Sequence, residues 1–572
     1  MVISTPDSGT EWFSKIRCLT ARHPYWTLTV IVLAALGPFL AKPFNIDDPL
    51  FIWAAHQIQA HPADPYGFNV EWGWREFPMW KVTENPPLAC YYLAAAAGIL
   101  GWSELALHTA FLLPVLAAVF GTYRLARHFC SRPMLAALAT LFTPVVLVSS
   151  LTVTCDVMML AFWVWAVVFW VEGTEQEKLC KLFAAAGLIA LAELTKYYGV
   201  CLIPLVTAFS LMRRRPVRRW AQFLLLPLAI LLAYQLATQA LYGTSLLFRA
   251  MDYATFSKVF LGYSQPQTCL TALAFTGGCV AVAAIFAPLL WRARTLAGIF
   301  SVAVVLTAAL SLGETAWKNY SAIQATARMA IGIQTVVWAA GGFLVLLLAV
   351  ADCWHRRDAS ACLLALWVLG TFAFVAFINW TINARSILPM IPAVGILIVR
   401  RLEGKDRLKG ESWPRGIALC LIANLILALA VLKADYLLAV AVRQNAREVC
   451  ADYRQRVGTL WFQGHWGFQF YMSAAGASAL DFKRSTLKPG DVLAVPSNNT
   501  NLLPLDPRQA DLVEIYRVPG PWFVTTCNEK MGAGFYASVW GPLPFAFGRV
   551  PPENVSVYVL KPLLQAASPN SK

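Results

Sequence analysis

Phe44-Asn45-Ile46-Asp47-Asp48-Pro49 opens a polar insert that runs to Gly101, passing Glu71-Trp72-Gly73-Trp74-Arg75-Glu76 and Thr83-Glu84-Asn85-Pro86-Pro87-Leu88 on the way. An apolar run, Trp26 to Ala41, precedes the insert, and another, Glu104 to Tyr123, follows it. Carboxylates crowded against a bilayer surface repel one another and are costly to keep together unless they bind something. The insert therefore reads as half of an active site, and the rest of the chain as its support.

Composition sets the class. The 572 residues are 58% hydrophobic and 13% charged, with a mean hydropathy of +0.57, far outside the globular range. Many apolar runs approach the roughly 20 residues needed to cross hydrocarbon. The net charge of +15 does not point to nucleic acid, because the cations cluster in short loops between apolar runs, a pattern that orients a membrane protein. The first run lacks a small-residue cleavage site and reads as a retained helix. The 13 cysteines show no CxxC or metal-ligand spacing and read as small core residues.

Lys15, Arg17 and Arg22 place the amino terminus in the cytoplasm, so the first span delivers the insert to the far side. Within the insert, Pro49 to Ala60 has the periodicity of a helix lying on the membrane, with Leu50, Phe51, Ala54 and Ile58 toward lipid. Leu88 to Gly101 is short. If it crossed, every later basic loop would be inverted; lying at the interface or re-entering, it leaves Arg124, Arg127 and Arg132 inside.

The remaining expected spans are Glu104–Tyr123, Pro133–Leu151, Asp156–Val171, Trp220–Tyr242, Cys269–Trp291, Thr295–Leu312, Ala330–Ala351, Ala361–Ile378, Arg385–Val399 and Gly416–Val440. Leu182 to Met212 is too long for one span and reads as two, with a turn near Lys196. The expected fold is an all-α polytopic bundle of about 13 transmembrane helices with a small extracytoplasmic α/β domain. The membrane domain covers 1–440, its first loop 42–103, and the soluble domain 441–572. In that domain Asp491–Pro496, Asp511–Val518 and Val555–Leu560 are strand-like, Pro489-Gly490 is a turn, and Gly464 to Phe468 can open a helix. Cys450 and Cys527 are its only cysteines, and a disulfide between them is open.

This topology gathers Asp47, Asp48, Glu84, Asp156, Lys196, Lys318 and Arg385 on the outer side. Ionisable groups at span ends are functional candidates, yet each has a plainer reading. Asp48 before Pro49, Asn85 before Pro86 and Asp156 at a helix start have the positions of caps. Lys196 follows Glu193 at ion-pair spacing, and Arg385 has the position of an interfacial anchor. His56 and His61 match no standard metal site and read as solvated. A carboxylate at an outer surface suits a general base toward an acceptor hydroxyl, and nearby cations suit a phosphate leaving group. No G-x-G-x-x-G and no P-loop is present in the sequence.

Asp47-Asp48, Glu84-Asn85-Pro86-Pro87-Leu88, Cys155-Asp156-Val157-Met158-Met159-Leu160, Leu194-Thr195-Lys196 and Arg385-Ser386-Ile387-Leu388-Pro389-Met390-Ile391-Pro392 occur in one order over about residues 20 to 400. In this the chain resembles the membrane glycosyltransferases of the C-type fold, namely the protein O-mannosyltransferases, the aminoarabinose transferase of lipid A and the bacterial family 39 enzymes. The resemblance implies a polyprenyl-phosphate-linked sugar donor used on the extracytoplasmic face of the cell (inner) membrane, with a lipid, glycan or protein as acceptor. It implies Asp47 as catalytic base, Asp48 and Asp156 as supports of the site or of a divalent cation, and Arg385 with Lys196 as donor-phosphate contacts. Glu84 and Asn85 would also contact substrate. Relatives carry His or Lys before the Pro-Pro, where this chain has the neutral Asn85. A carboxyl-terminal domain lying over the site would suit acceptor selection. A transporter or lipid flippase would instead place its charges near the bilayer midplane, often in repeated halves, and a glycan polymerase or ligase would depend on its arginines more than on Asp47.

Overall fold

The computed structural model describes residues 22–83, 85–262, 264–311, 317–408, 414–453 and 458–562. Glu84 lies outside the described residues, as do Lys15 and Arg17. Among the described residues, seven helices are long and apolar enough to cross a membrane, including Glu104–Phe129, Cys155–Gln176, Ala325–Arg356 and Arg415–Tyr453.

The remaining expected spans are short or broken, for identifiable reasons. Pro133–Leu141 and Pro144–Ser149 are separate helices, because Thr143 before Pro144 is pushed to extended backbone, φ −91° and ψ 145°. The segment from Leu179 to Met212 also breaks: a helix ends at Thr195, Lys196 is extended (φ −156°, ψ 131°), and Tyr197–Cys201 is 3-10 before Leu202–Met212. Gly199 permits this fold-back, since a Cβ there would lie 2.5 Å from the backbone of Ala192 and Glu193. Close packing elsewhere uses small residues: a Cβ on Gly277 would lie 1.8 Å from Trp338 O, and one on Gly342 2.2 Å from Leu273 O. Bare glycine backbones thus let Gln265–Cys279 and Ala325–Arg356 approach closely.

The insert folds onto itself. Helix Asp48–Ala60 packs on Leu88–Leu100, burying Phe51, Ala54 and Ile58 in a core with Leu93, Leu107 and Phe111. The expected lipid-facing stripe is therefore a packing face. Leu88–Leu100 has 13 residues, about 20 Å of helix, too short for a hydrocarbon core of about 30 Å.

Helix Arg415–Tyr453 has 39 residues, about 58 Å, and runs unbroken past 440/441, where the sequence suggested a boundary. Its end packs on the carboxyl-terminal sheet, with Asn445 Nδ2 donating to Glu553 O at 3.0 Å. That sheet has five strands in the order Ser478–Ala479, Leu460–Phe462, Val492–Pro496, Glu553–Leu560, Ala510–Val518. Leu460–Phe462 is parallel to both neighbours and the other pairings are antiparallel. A bulge after Val557 resets the in-out alternation of Glu553–Leu560. Helix Trp466–Ala474 follows the strand at Leu460. Cys450 and Cys527 are both free thiols, and Cys450 Sγ instead contacts Met472 Sδ at 3.5 Å; no disulfide joins them.

Candidate active site

Four segments far apart in sequence meet at one place. Asp47 immediately precedes helix Asp48–Ala60. Asp156 lies in the first turn of Cys155–Gln176, Lys196 is the extended residue at the break after Thr195, and Arg385 is on the short helix Ala384–Ile387. Asn383 caps that helix, its side chain accepting from Ser386 N at 2.8 Å, which fixes how Arg385 leaves the backbone.

Arg385 Nη2 donates to Asp47 Oδ2 at 2.6 Å, and its Nη1 lies 3.9 Å from Asp156 Oδ2. Lys196 Nζ donates to Asp156 Oδ1 at 2.7 Å, and Thr154 Oγ1 to Asp156 Oδ2 at 2.9 Å. Asp156 thus sits between two cations, and its 1% exposure means the charge is carried by those partners and not by water. Asp47 remains 27% exposed, reachable by a substrate. Arg385 Nε is buried and has no hydrogen-bond partner among the described residues, leaving the guanidinium a spare donor.

Lys196 does not pair with Glu193. Both Glu193 oxygens are buried without a hydrogen-bond partner among the described residues, because the helix ends one residue before the lysine and its side chain reaches the neighbouring helix. Asp48 is fully buried and turned from the cluster: its oxygens accept from Asn45 N at 3.1 Å and Val153 N at 3.0 Å. Burial pushes its carboxyl up to about 6, against the pull of Lys42 and the two amides. The Asn85 carbonyl accepts from Tyr66 at 2.8 Å, which ties down the Pro-Pro loop. Lys318 is exposed on a turn. His56 and His61 are both exposed, and His56 also stacks on Trp102 with ring centroids 3.5 Å apart.

Asp47, Asp48 and Asp156 do not fit a shared cation, since the Arg385 guanidinium already lies between Asp47 and Asp156 and Asp48 faces the Asn45 and Val153 amides. Among the described residues no three His, Cys, Asp or Glu groups converge as a metal site.

Beneath the cluster lies a buried set that sequence reasoning missed. Lys42 Nζ is 2.5 Å from Asp435 Oδ2 and donates to Leu151 O at 3.1 Å. Asp435 also accepts from Thr526 at 2.8 Å and from Tyr536. An aspartate inside the apolar run Gly416–Val440 is itself a signal, because an intramembrane acid needs a partner. The first loop is also tied to the carboxyl-terminal domain: Trp72 stacks on His465 at 4.8 Å, and Gly73 N donates to His465 Nε2 at 2.9 Å.

Residues 84–242 match the family model described as dolichyl-phosphate-mannose-protein mannosyltransferase. The whole fold is similar to the crystal structure of ArnT from Cupriavidus metallidurans bound to undecaprenyl phosphate, with a TM-score of 0.51 and 12% identity over 83% of this chain and 92% of that one. The chain has the C-type fold of the membrane glycosyltransferases. The chain also aligns with the oligosaccharyltransferase AglB from Archaeoglobus fulgidus in complex with an inhibitory peptide and a dolichol-phosphate, at TM-score 0.44 and 13% identity over 81% of this chain and 64% of that one. No curated protein is a significant sequence match. Its apolar helices make the chain a multi-pass membrane protein.

Proposed function

We propose that this chain is a glycosyltransferase that moves a sugar from a polyprenyl-phosphate donor to a lipid, glycan or protein acceptor on the extracytoplasmic face of the inner membrane. The observation that supports this most is the convergence of Asp47, Asp156, Lys196 and Arg385, two carboxylates and two cations drawn from four separate segments. The 13-span topology, with residues 1–440 as membrane domain and the carboxyl-terminal domain outside, is the reading that puts all four on one face.

Arg385 and Lys196 hold the donor phosphate, and Asp156 fixes the spacing between them. A phosphodiester competes with Asp47 for the guanidinium, and the unpartnered Nε adds a donor to the contest. As Arg385 turns to phosphate, Asp47 is uncovered for the acceptor hydroxyl. The hydroxyl proton passes to Asp47, the acceptor oxygen bonds to the anomeric carbon, and the bond from that carbon to the phosphate oxygen breaks, leaving polyprenyl phosphate. The cations stabilise the charge that develops on the leaving oxygen. Asp48 positions Asp47 through the Asn45 and Val153 amides. Glu84 and Asn85, in the same polar insert of the sequence as Asp47, are assigned to substrate contact.

The test is donor consumption by the purified chain in lipid nanodiscs. Arg385→Ala and Lys196→Ala should each raise the donor KM at least tenfold. Unchanged KM in both would remove the donor assignment.

A further inference from the structure

The segment that carries Arg385 is joined to the carboxyl-terminal domain. Residues 535–538 run alongside 381–384: Ala384 N donates to Phe535 O at 2.9 Å and Ser538 N to Ile382 O at 2.8 Å. Ile382 N donates to Ser538 Oγ at 3.2 Å, and the Thr381 and Ser538 hydroxyls are 3.1 Å apart. The loop that presents Arg385 is therefore built partly from another domain.

Between those contacts Tyr536 turns its side chain under the guanidinium, with Arg385 Cζ 5.6 Å from the ring centroid. The ring cannot drift, because its hydroxyl donates to Asp435, 2.9 Å from each carboxylate oxygen, and Asp435 is fixed by Lys42 and Thr526. Tyr536, Asp435 and Lys42 are 7%, 2% and 1% exposed. Lys42 precedes Asp47 on the same segment, and the Leu151 carbonyl it binds precedes Asp156. One buried set thus ties the approaches to Asp47 and Asp156 to the ring beneath Arg385.

We infer that Tyr536 is a positioning residue for the transfer reaction: its ring face fixes the Arg385 guanidinium for the donor phosphate, so the carboxyl-terminal domain is part of the active site itself. This rests on the donor-phosphate role of Arg385 proposed above. A desolvated guanidinium over an aromatic face is attracted by the ring quadrupole, and a fixed fork loses less freedom when it meets phosphate. A plain anchoring role for Tyr536 would need only its hydroxyl on Asp435, whereas positioning needs the electron-rich face.

The experiment measures undecaprenyl phosphate affinity of the full chain in nanodiscs, with thermal unfolding in parallel. Tyr536→Phe keeps the face and loses the hydroxyl; it should unfold at lower temperature yet bind within about twofold of the native chain. Tyr536→Leu should bind about fivefold more weakly, the size of a partly desolvated cation–π contact. Should the leucine variant not fold, phenylalanines of increasing fluorination at position 536 keep the shape while draining the ring face, and affinity should fall stepwise relative to Tyr536→Phe at constant unfolding temperature. Arg385→Ala is the control. If it binds normally, the donor-phosphate reading falls and this inference with it; if it binds weakly while the fluorinated series binds evenly, the inference alone is overturned.

Discussion

Asp47→Asn is the most informative single substitution. Asparagine has the same shape, and its side-chain oxygen can still accept from Arg385 Nη2, now at 2.6 Å from Asp47 Oδ2. What it loses is the capacity to take a proton. Removing a general base costs about 10²- to 10⁴-fold in rate, equivalent to about 3–5 kcal/mol on the barrier. The effect on folding is smaller: Asp47 is 27% and Arg385 14% exposed, and loss of a pair open to solvent on one side costs about 1 kcal/mol or less. The prediction is thus a kcat lowered at least a hundredfold with an unfolding temperature close to native. The assay follows release of polyprenyl phosphate from labelled donor in native membranes, which supply the acceptor, beside thermal unfolding of the purified variant. Asp48→Asn makes the contrast. Both Asp48 oxygens accept backbone N–H groups in a buried site, and an amide NH2 would face one of those donors, so this variant should lose stability before it loses turnover per folded molecule. Transfer by Asp47→Asn within threefold of native would refute the assignment of the base.

Other substitutions test the supporting structure. Lys196→Ala leaves the buried Asp156 short of a partner, a loss of up to about 3 kcal/mol, and Asp156→Ala, which leaves the part-exposed Lys196, should cost less; the double variant should be less destabilised than the sum, and strict additivity in thermal unfolding would argue against the pair. Gly199→Ala drives a Cβ to 2.5 Å from the Ala192 and Glu193 backbone, so the yield of folded protein from membranes should drop sharply; a native yield would mean the turn at Lys196 is built differently. Burial pushes Glu553 up to about 7 from 4.5. A raised carboxyl keeps its proton in the folded state after the unfolded chain has released it, so stability falls as pH climbs from about 4.5 through about 7, by up to about 3 kcal/mol. Glu553→Gln should flatten that decline in thermal unfolding between pH 5 and 8, and a decline as steep as in the native chain would rule Glu553 out as its source.

The lengths of the apolar runs made several features of this fold legible. The stretch from Leu182 to Met212 was too long for one span, and the chain does break at Lys196. The strands of the carboxyl-terminal domain follow from their alternation and turns. Periodicity identified the apolar stripe of Asp48–Ala60 but not its cover: Leu88–Leu100, itself too short to span, takes the place assigned to lipid. Spacing suggested Glu193 as the partner of Lys196, yet i,i+3 spacing has no meaning once the helix stops at Thr195. The site divides the same way. Asp47, Asp156, Lys196 and Arg385 were named from motif order, but nothing local announces that Arg385 rests on Tyr536, 151 residues on, or that Asp435 faces Lys42. Such long-range contacts depend on how helices pack, and the reading that ended the last span at Val440 stopped the Asp435 helix short of the carboxyl-terminal sheet it reaches.

The most direct measurement is a high-resolution structure of the full chain with undecaprenyl phosphate. The account predicts phosphate oxygens about 2.7–3.0 Å from the Arg385 guanidinium and the Lys196 ammonium, with Arg385 turned from Asp47 and the Asp47 carboxylate open toward the acceptor side. A phosphate bound elsewhere, with Arg385 still on Asp47 and Lys196 still on Asp156, would contradict it.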